Sequence, residues 1–263
     1  MDLKLTKKIA LVSGSTAGIG NAIAVSLARE GATVIVNGRA PGAVDEAVAL
    51  MKAETKGDVI GFAGDLSVAS VAEALVRRHP VVDILVNNLG IFEVRPFEEI
   101  SDADWQRFFD VNVLSGARLS RLYLPSMRKR NWGRIIFISS ESGYHIPAEM
   151  IHYGMTKAAQ IAVARGLAET TAGTGITVNS VLPGPTRSRG VGDFVAEMAA
   201  KSGKSAQTVE NEFFKTARPT SLLQRFATPE EVAAMVTYVA SSVSSATNGA
   251  ALRVDGGTIK SAF

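Results

Sequence analysis

Tyr153 and Lys157, four positions apart in the stretch YGMTK, fall on one face of any helix that holds them. A phenol beside an ammonium is a proton-transfer pair. Tyrosine ordinarily titrates at about 10, too high to give and take a proton easily near neutrality. A neighbouring cation favours the phenolate and lowers that value. Such a pair could protonate an oxygen that gains negative charge, or take the proton back. On spacing alone, the ordinary reading is a solvated helix face with an amphipathic ring beside an ammonium.

A second stretch, SGSTAGIG, places Gly14, Gly18 and Gly20 between an apolar run and a helical pattern. Glycines there permit a tight turn, close approach of backbone to a pyrophosphate and close helix-to-strand packing. The helix start supplies free N–H groups and partial positive charge. Nucleotide binding outweighs a bare strand-to-helix turn. At the end of the next apolar run, VIVNGR carries no acid to accept from a ribose 2'-hydroxyl. Asn37 and Gly38 are neutral, and Arg39 offers a planar fork suited to a 2'-phosphate. NADP(H) is therefore favoured, with NAD(H) the alternative in which Arg39 merely begins the following turn.

The elements that must position these residues alternate regularly. Apolar, β-branched runs at 8–13, 33–37, 58–63, 83–87, 134–139, 176–182 and 250–254 are too short for helices and predict strands buried on both faces. Helical patterns at 18–30, 42–55, 67–78, 103–130, 154–172 and 229–241 separate them, with Ser101 and Thr228 as capping residues and Pro229 at a helix start. Strands joined by helix-length crossovers run parallel. The expected fold is α/β, one doubly wound Rossmann-type domain over 1–263 with helices on both faces of its sheet. Residues 183–228 are too long for a simple crossover, so a small substrate lobe at about 186–227 is expected over the strand ends.

Bulk properties exclude other classes. With 46% hydrophobic and 20% charged residues the chain is globular, not disordered. A net charge of +3 with scattered basic residues argues against a nucleic-acid partner. No apolar run approaches the roughly 20 residues of a membrane span. The absence of cysteine removes disulfides, thiolate catalysis and thiolate metal sites, and a cytoplasmic location is expected. His79, His145 and His152 are too scattered for a metal site. His145 and His152 do flank Tyr153, so each is either a pocket-lining group or a surface-loop histidine.

Taken together, these motifs resemble the short-chain dehydrogenase/reductase family over nearly the whole chain. SGSTAGIG is similar to its TGxxxGIG loop, GDL at 64–66 to its adenine-side acid, NNLG at 87–90 to its NNAG, and YGMTK to its YxxxK. PGPTRS at 183–188 is similar to its PGxxxT, and RVDGG at 253–257 to its closing segment. Leu89 departs from the alanine of NNAG, which could narrow the pocket or only pack; Ser13 and Ser188 keep the hydroxyl of the threonines they replace.

The resemblance implies Asn112, Ser140, Tyr153 and Lys157 as catalytic residues. Ser140 is preferred to Ser139 because the family's serine precedes its tyrosine by 13, and 153 − 140 = 13. It also implies cofactor contacts from Gly14, Ser15, Thr16, Gly18, Ile19, Gly20, Asp65, Leu66, Asn88, Gly90, Tyr153, Lys157, Pro183, Gly184, Thr186 and Ser188, beside Arg39. Asn87 is expected to brace the central strands and Asn112 to hold water for a proton relay. The implied function is hydride transfer between NADP(H) and a small-molecule carbonyl, such as a ketone or 3-oxoacyl compound, and its alcohol, with Tyr153 as general acid and base. A homotetramer is expected from the resemblance and from the apolar helices 103–130 and 154–172. The competing class is a nucleotide-binding scaffold without turnover, for which a complete Asn/Ser/Tyr/Lys set has no physical use.

Overall fold

Seven apolar runs form seven parallel strands: β1 (Ile9–Val12), β2 (Thr33–Gly38), β3 (Val59–Ala63), β4 (Ile84–Asn87), β5 (Gly133–Ile138), β6 (Ile176–Pro183) and β7 (Ala251–Val254). The computed structural model describes residues 1–262. The strands form one sheet in the order β3-β2-β1-β4-β5-β6-β7, so the order reverses between β1 and β4. A crevice opens at that reversal, beyond the carboxyl ends of the strands.

Helices cover both faces, as strands buried on both sides require. On one face α1 (Gly18–Arg29), α2 (Pro41–Thr55) and α9 (Pro229–Ala240) close a core around Ile23, Leu27, Met51, Val232 and Val236. On the other, α3 (Ala69–Arg78), α5 (Ser115–Arg130) and α6 (Ile151–Glu169) bury Leu75, Leu119, Tyr123, Met127 and Ala164. Capping boxes fix two helix starts, Ser101 with Asp104 ahead of α4 (Asp102–Phe109) and Thr228 with Glu231 ahead of α9.

The single helix expected over 103–130 is interrupted. Between α4 and α5 lies a turn of π-helix, Asp110–Leu114, which carries Asn112. The widened turn changes the side-chain register, a change that apolar periodicity does not report. The segment between β6 and α9 forms α7 (Arg189–Ser202) and α8 (Ala206–Thr216). Val195, Val209, Phe214 and Phe226 give this lobe a small core of its own. Among the described residues, no helix is long and apolar enough to cross a membrane, and no cluster of His, Cys, Asp and Glu could hold a metal ion.

Candidate active site

The glycine-rich turn is built from its neighbours inward. Gly14 and Gly18 have φ of 62° and 59°, in the left-handed region. A Cβ at Gly20 would collide with the Asn88 side chain and the Gly14 carbonyl. Asn37, 2% exposed, ties the turn to the sheet. Its Oδ1 accepts from Gly14 N at 3.1 Å, and its Nδ2 donates to Phe62 O at 3.1 Å and Gly64 O at 3.0 Å. Asn88 Nδ2 donates to the carbonyls of Ser13 and Gly14, both at 3.0 Å, while Ser13 Oγ accepts from Asn88 N and Leu89 N. The side chain and N–H of Ser15 are both engaged within the protein, with Val12 O, Asn37 N and Asn37 O.

Helix α1 opens without a side-chain cap and without an acid in its first turn. Its leading N–H groups and positive dipole end are left for an anion. Beside it, a cleft of about 160 Å³ is lined by Gly14, Thr16, Gly38, Arg39, Asp65 and Leu66, among others. Arg39 is exposed at its rim. Leu89 also lines this cleft and packs back onto the α3/α5 core, so its bulk falls on the nucleotide side. Asp65 Oδ1 accepts from Ser67 N and Ser67 Oγ. At the far end, Thr186 Oγ1 donates to Gly184 O, and Ser188, at the N-cap position of α7 but without a side-chain capping bond, lies close to where a Gly18 side chain would stand. The crevice thus has a cradle for phosphates, a cation at one end and the PGPTRS loop at the other. These residues fit a dinucleotide.

The four residues that the resemblance singles out meet beside that crevice. Ser140 follows β5, Tyr153 and Lys157 lie on α6, and Asn112 sits in the π turn. Ser139 Oγ donates to Lys157 O at 2.8 Å, facing the helix, which leaves Ser140 as the serine beside Tyr153. Asn112 Oδ1 accepts from Ile91 N at 2.8 Å, and its Nδ2 donates to Ile91 O and Thr156 Oγ1. A Cβ at Gly90 would stand 3.4 Å from Lys157 Nζ, so the NNLG loop lies directly against the amine. Asn87 joins β4 to α5, through Nδ2 to Ser120 Oγ at 3.1 Å.

Two features differ from expectation. Lys157 Nζ points at Ile138 O (2.9 Å) and Gln160 Oε1 (3.1 Å), and lies 5.6 Å from the centre of the Tyr153 ring. Burial lowers the lysine to about 7. Burial likewise raises the Tyr153 hydroxyl above its ordinary value, and the neighbouring Ser140 side chain opposes this. The expected lowering of the tyrosine by the lysine is therefore absent; desolvation of both groups dominates. His152 does not line the pocket. It is fully buried, its ring 4.0 Å from that of Phe108 on α4, while His145 is exposed.

Sequence reasoning missed Gln160, 1% exposed, whose Nε2 donates to Asn112 O at 2.6 Å. Its position three residues after Lys157 was the available signal. Also missed was Arg218, which reaches Glu141 from the lobe at 3.1 Å. The mouth carries exposed apolar groups, Phe92, Tyr144 and Ile146, and the Phe92 ring lies 6.3 Å from Tyr153, edge-on.

A parallel sheet whose strand order reverses, a glycine cradle and a Tyr/Lys pair beside it together define a dinucleotide-dependent oxidoreductase of the doubly wound class. The chain belongs to the short-chain dehydrogenase family, whose model matches residues 8–199. It is 47% identical over 264 residues to the uncharacterized oxidoreductase YvrD of Bacillus subtilis, covering 99% of this chain and all of the relative. Among solved structures it resembles L-sorbose reductase from Gluconobacter frateurii complexed with NADPH and L-sorbose, with a TM-score of 0.93, 29% identity and coverage of 99% and 100% of the two chains. A 7α-hydroxysteroid dehydrogenase complexed with NADH aligns with a TM-score of 0.83 and 28% identity over 99% of this chain and 97% of that one. NAD(P)(H) is the family's cofactor, and the neighbours include both forms.

Proposed function

We propose that the chain is an NADP(H)-dependent carbonyl reductase and alcohol dehydrogenase that uses Tyr153 as general acid and base. The observation that carries this reading is the convergence of Ser140, Tyr153 and Lys157 beside the nucleotide crevice. The cofactor supplies or accepts the hydride. Carbonyl reduction leaves negative charge on oxygen, which needs a proton and hydrogen-bond donors. Tyr153, whose phenolate burial disfavours, is poised to give that proton, and the Ser140 hydroxyl, which rests on Glu141 in the substrate-free chain, turns to orient the carbonyl oxygen. The Gln160 amide ties the Lys157 amine to the Asn112 carbonyl and so holds the amine in place beside Tyr153. The apolar mouth suits a ketone of moderate hydrophobicity, including 3-oxoacyl compounds.

Preference for NADP(H) rests on Arg39 at the rim and on the absence of an acid at Asn37 or Gly38. NAD(H) use is the second reading, supported by the NADH-bound neighbour. Assembly as a homotetramer is supported by a groove of about 360 Å³ on α5 and α6, lined by Ala117, Leu124, Val163 and Leu167 among others. Sedimentation of a monomer at micromolar concentration would remove it. Incubation with NADPH and a panel of ketones, followed by loss of reduced-cofactor absorbance, tests the central reading. Tight NADPH binding with no turnover across the panel would favour a scaffold instead.

A further inference from the structure

Directly after Ser140 stands a carboxylate that the reaction as derived above does not use. Glu141 is 4% exposed, yet every oxygen of its side chain has a partner. Oε2 accepts from Ser140 Oγ at 2.5 Å and from Ser142 N at 2.9 Å, and Oε1 accepts from Arg218 Nε at 3.1 Å. Ser140 Oγ itself accepts from Ser142 N at 3.1 Å. The single hydroxyl proton of Ser140 is thus directed by Glu141. Arg218, 9% exposed and 77 positions along the chain, follows α8 and belongs to the lobe. Its Nη1 donates to Ala217 O and stands 3.5 Å from Glu149. The turn bearing Glu141 cannot shift easily, because a Cβ at Gly143 would stand 2.7 Å from the backbone of Lys157.

We propose that Glu141 is a positioning residue of this site: it aims the Ser140 hydroxyl, and Arg218 holds Glu141, so that the lobe helps set the geometry of catalysis. A buried carboxylate removed from its cation is costly, so the two must move together. The ion pair is buried at the point where the lobe meets Ser140, so breaking it leaves an uncompensated charge beside the serine. The pair also acts on Tyr153. The charge of Glu141 opposes formation of the phenolate and that of Arg218 favours it. The other charged groups near this tyrosine are Lys157 on its own helix and Glu149 in the turn before it, while His145 is exposed and His152 packs on Phe108.

The inference rests on the Tyr153 reading above, and its test separates the two. In Glu141→Gln, an acceptor for Ser140 remains but the charge is gone. We expect kcat to fall roughly ten- to a hundredfold, the scale of a misaligned reacting group, with NADPH affinity retained. In alcohol oxidation the rate rises with pH as Tyr153 ionises, and that limb should move to lower pH by roughly half a unit or more, since a repelling charge has been removed. Arg218→Lys keeps the cation and loses the planar fork, so kcat should drop while the limb stays in place. Melting temperature and NADPH binding of both variants verify the fold. A Glu141→Gln enzyme with wild-type kcat, or one whose lost activity leaves the limb unmoved, would show that the pair only staples the lobe to the sheet and would overturn the proposal. A wild-type protein that binds NADPH but turns over no carbonyl would instead remove the Tyr153 reading, and this inference with it.

Discussion

Gln160 stands between Lys157 and Asn112: its Oε1 accepts from Lys157 Nζ at 3.1 Å and its Nε2 donates to the Asn112 carbonyl at 2.6 Å. The three residues are each 5% exposed or less, so water does not readily substitute for the amide. The Gln160 amide takes one of the two acceptor sites on that carbonyl. Replacing Gln160 with Leu leaves that carbonyl unpaired and the amine with one acceptor. A loss of about 1–3 kcal/mol in stability is expected for the orphaned groups. Chemical denaturation of the two proteins reads it, and kcat should fall as well. A variant as stable and as active as wild type would show the bridge to be incidental.

Tyr153→Phe keeps the ring and its edge-on contact with Phe92 while deleting the hydroxyl. Turnover should fall at least about a hundredfold, the usual range for loss of a general acid, and NADPH affinity should stay as it was. Steady-state rates alongside cofactor fluorescence measure the two separately. Retention of more than about a hundredth of the rate would displace Tyr153 from its role.

Lys157 links the site to pH-dependent stability. Its value in the folded chain, about 7, lies below the ordinary 10.5. Between these values the unfolded chain holds a proton that the folded one lacks. Stability of the cofactor-free protein therefore rises with pH across that window, and below about 7 the full cost of burying the ammonium is present. Lys157→Met has no such slope. Wild type should gain on the variant by up to about 2 kcal/mol between roughly pH 7 and pH 9. Parallel melting temperatures for the two proteins over this range would refute the assignment.

The sheet was legible because each strand is a short β-branched run and each crossover a helical pattern, from KIALVS to AALRV. The Tyr/Lys pair was legible because both residues lie within one helical turn of each other. The π turn around Asn112 was not, since apolar periodicity continues through it while the backbone register changes. The partnership of Glu141 and Arg218 was also hidden, because it joins residues 77 positions apart whose meeting depends on how the lobe folds back. The state of Tyr153 and Lys157 was misjudged for a related reason. Spacing shows that two groups are neighbours, whereas burial decides which charge either one can carry.

Arg39 and Gly38 give the sharpest test of cofactor choice. Arg39 lines the nucleotide cleft, is exposed, and has no acid beside it at Asn37 or Gly38. A charge-assisted contact with a 2'-phosphate would be lost in Arg39→Ala, weakening NADPH about ten- to a hundredfold and leaving NADH almost unaffected. Placing an acid at Gly38 should do more, by adding a ribose acceptor and a charge that repels the phosphate. The structure imposes a condition on that design: a Cβ at Gly38 would stand 2.5 Å from the Thr16 methyl and 3.2 Å from Val44. Gly38→Asp alone must therefore displace the Thr16 side chain from the phosphate turn, and both cofactors should suffer. Combined with Thr16→Ala, the aspartate has room, and the preference should swing to NADH. Dissociation constants of NADPH and NADH for wild type, Arg39→Ala and the double variant settle the matter. Equal losses for both cofactors in Arg39→Ala, or tighter binding of NADH by wild type, would make Arg39 a surface residue and return the chain to the NAD(H) reading.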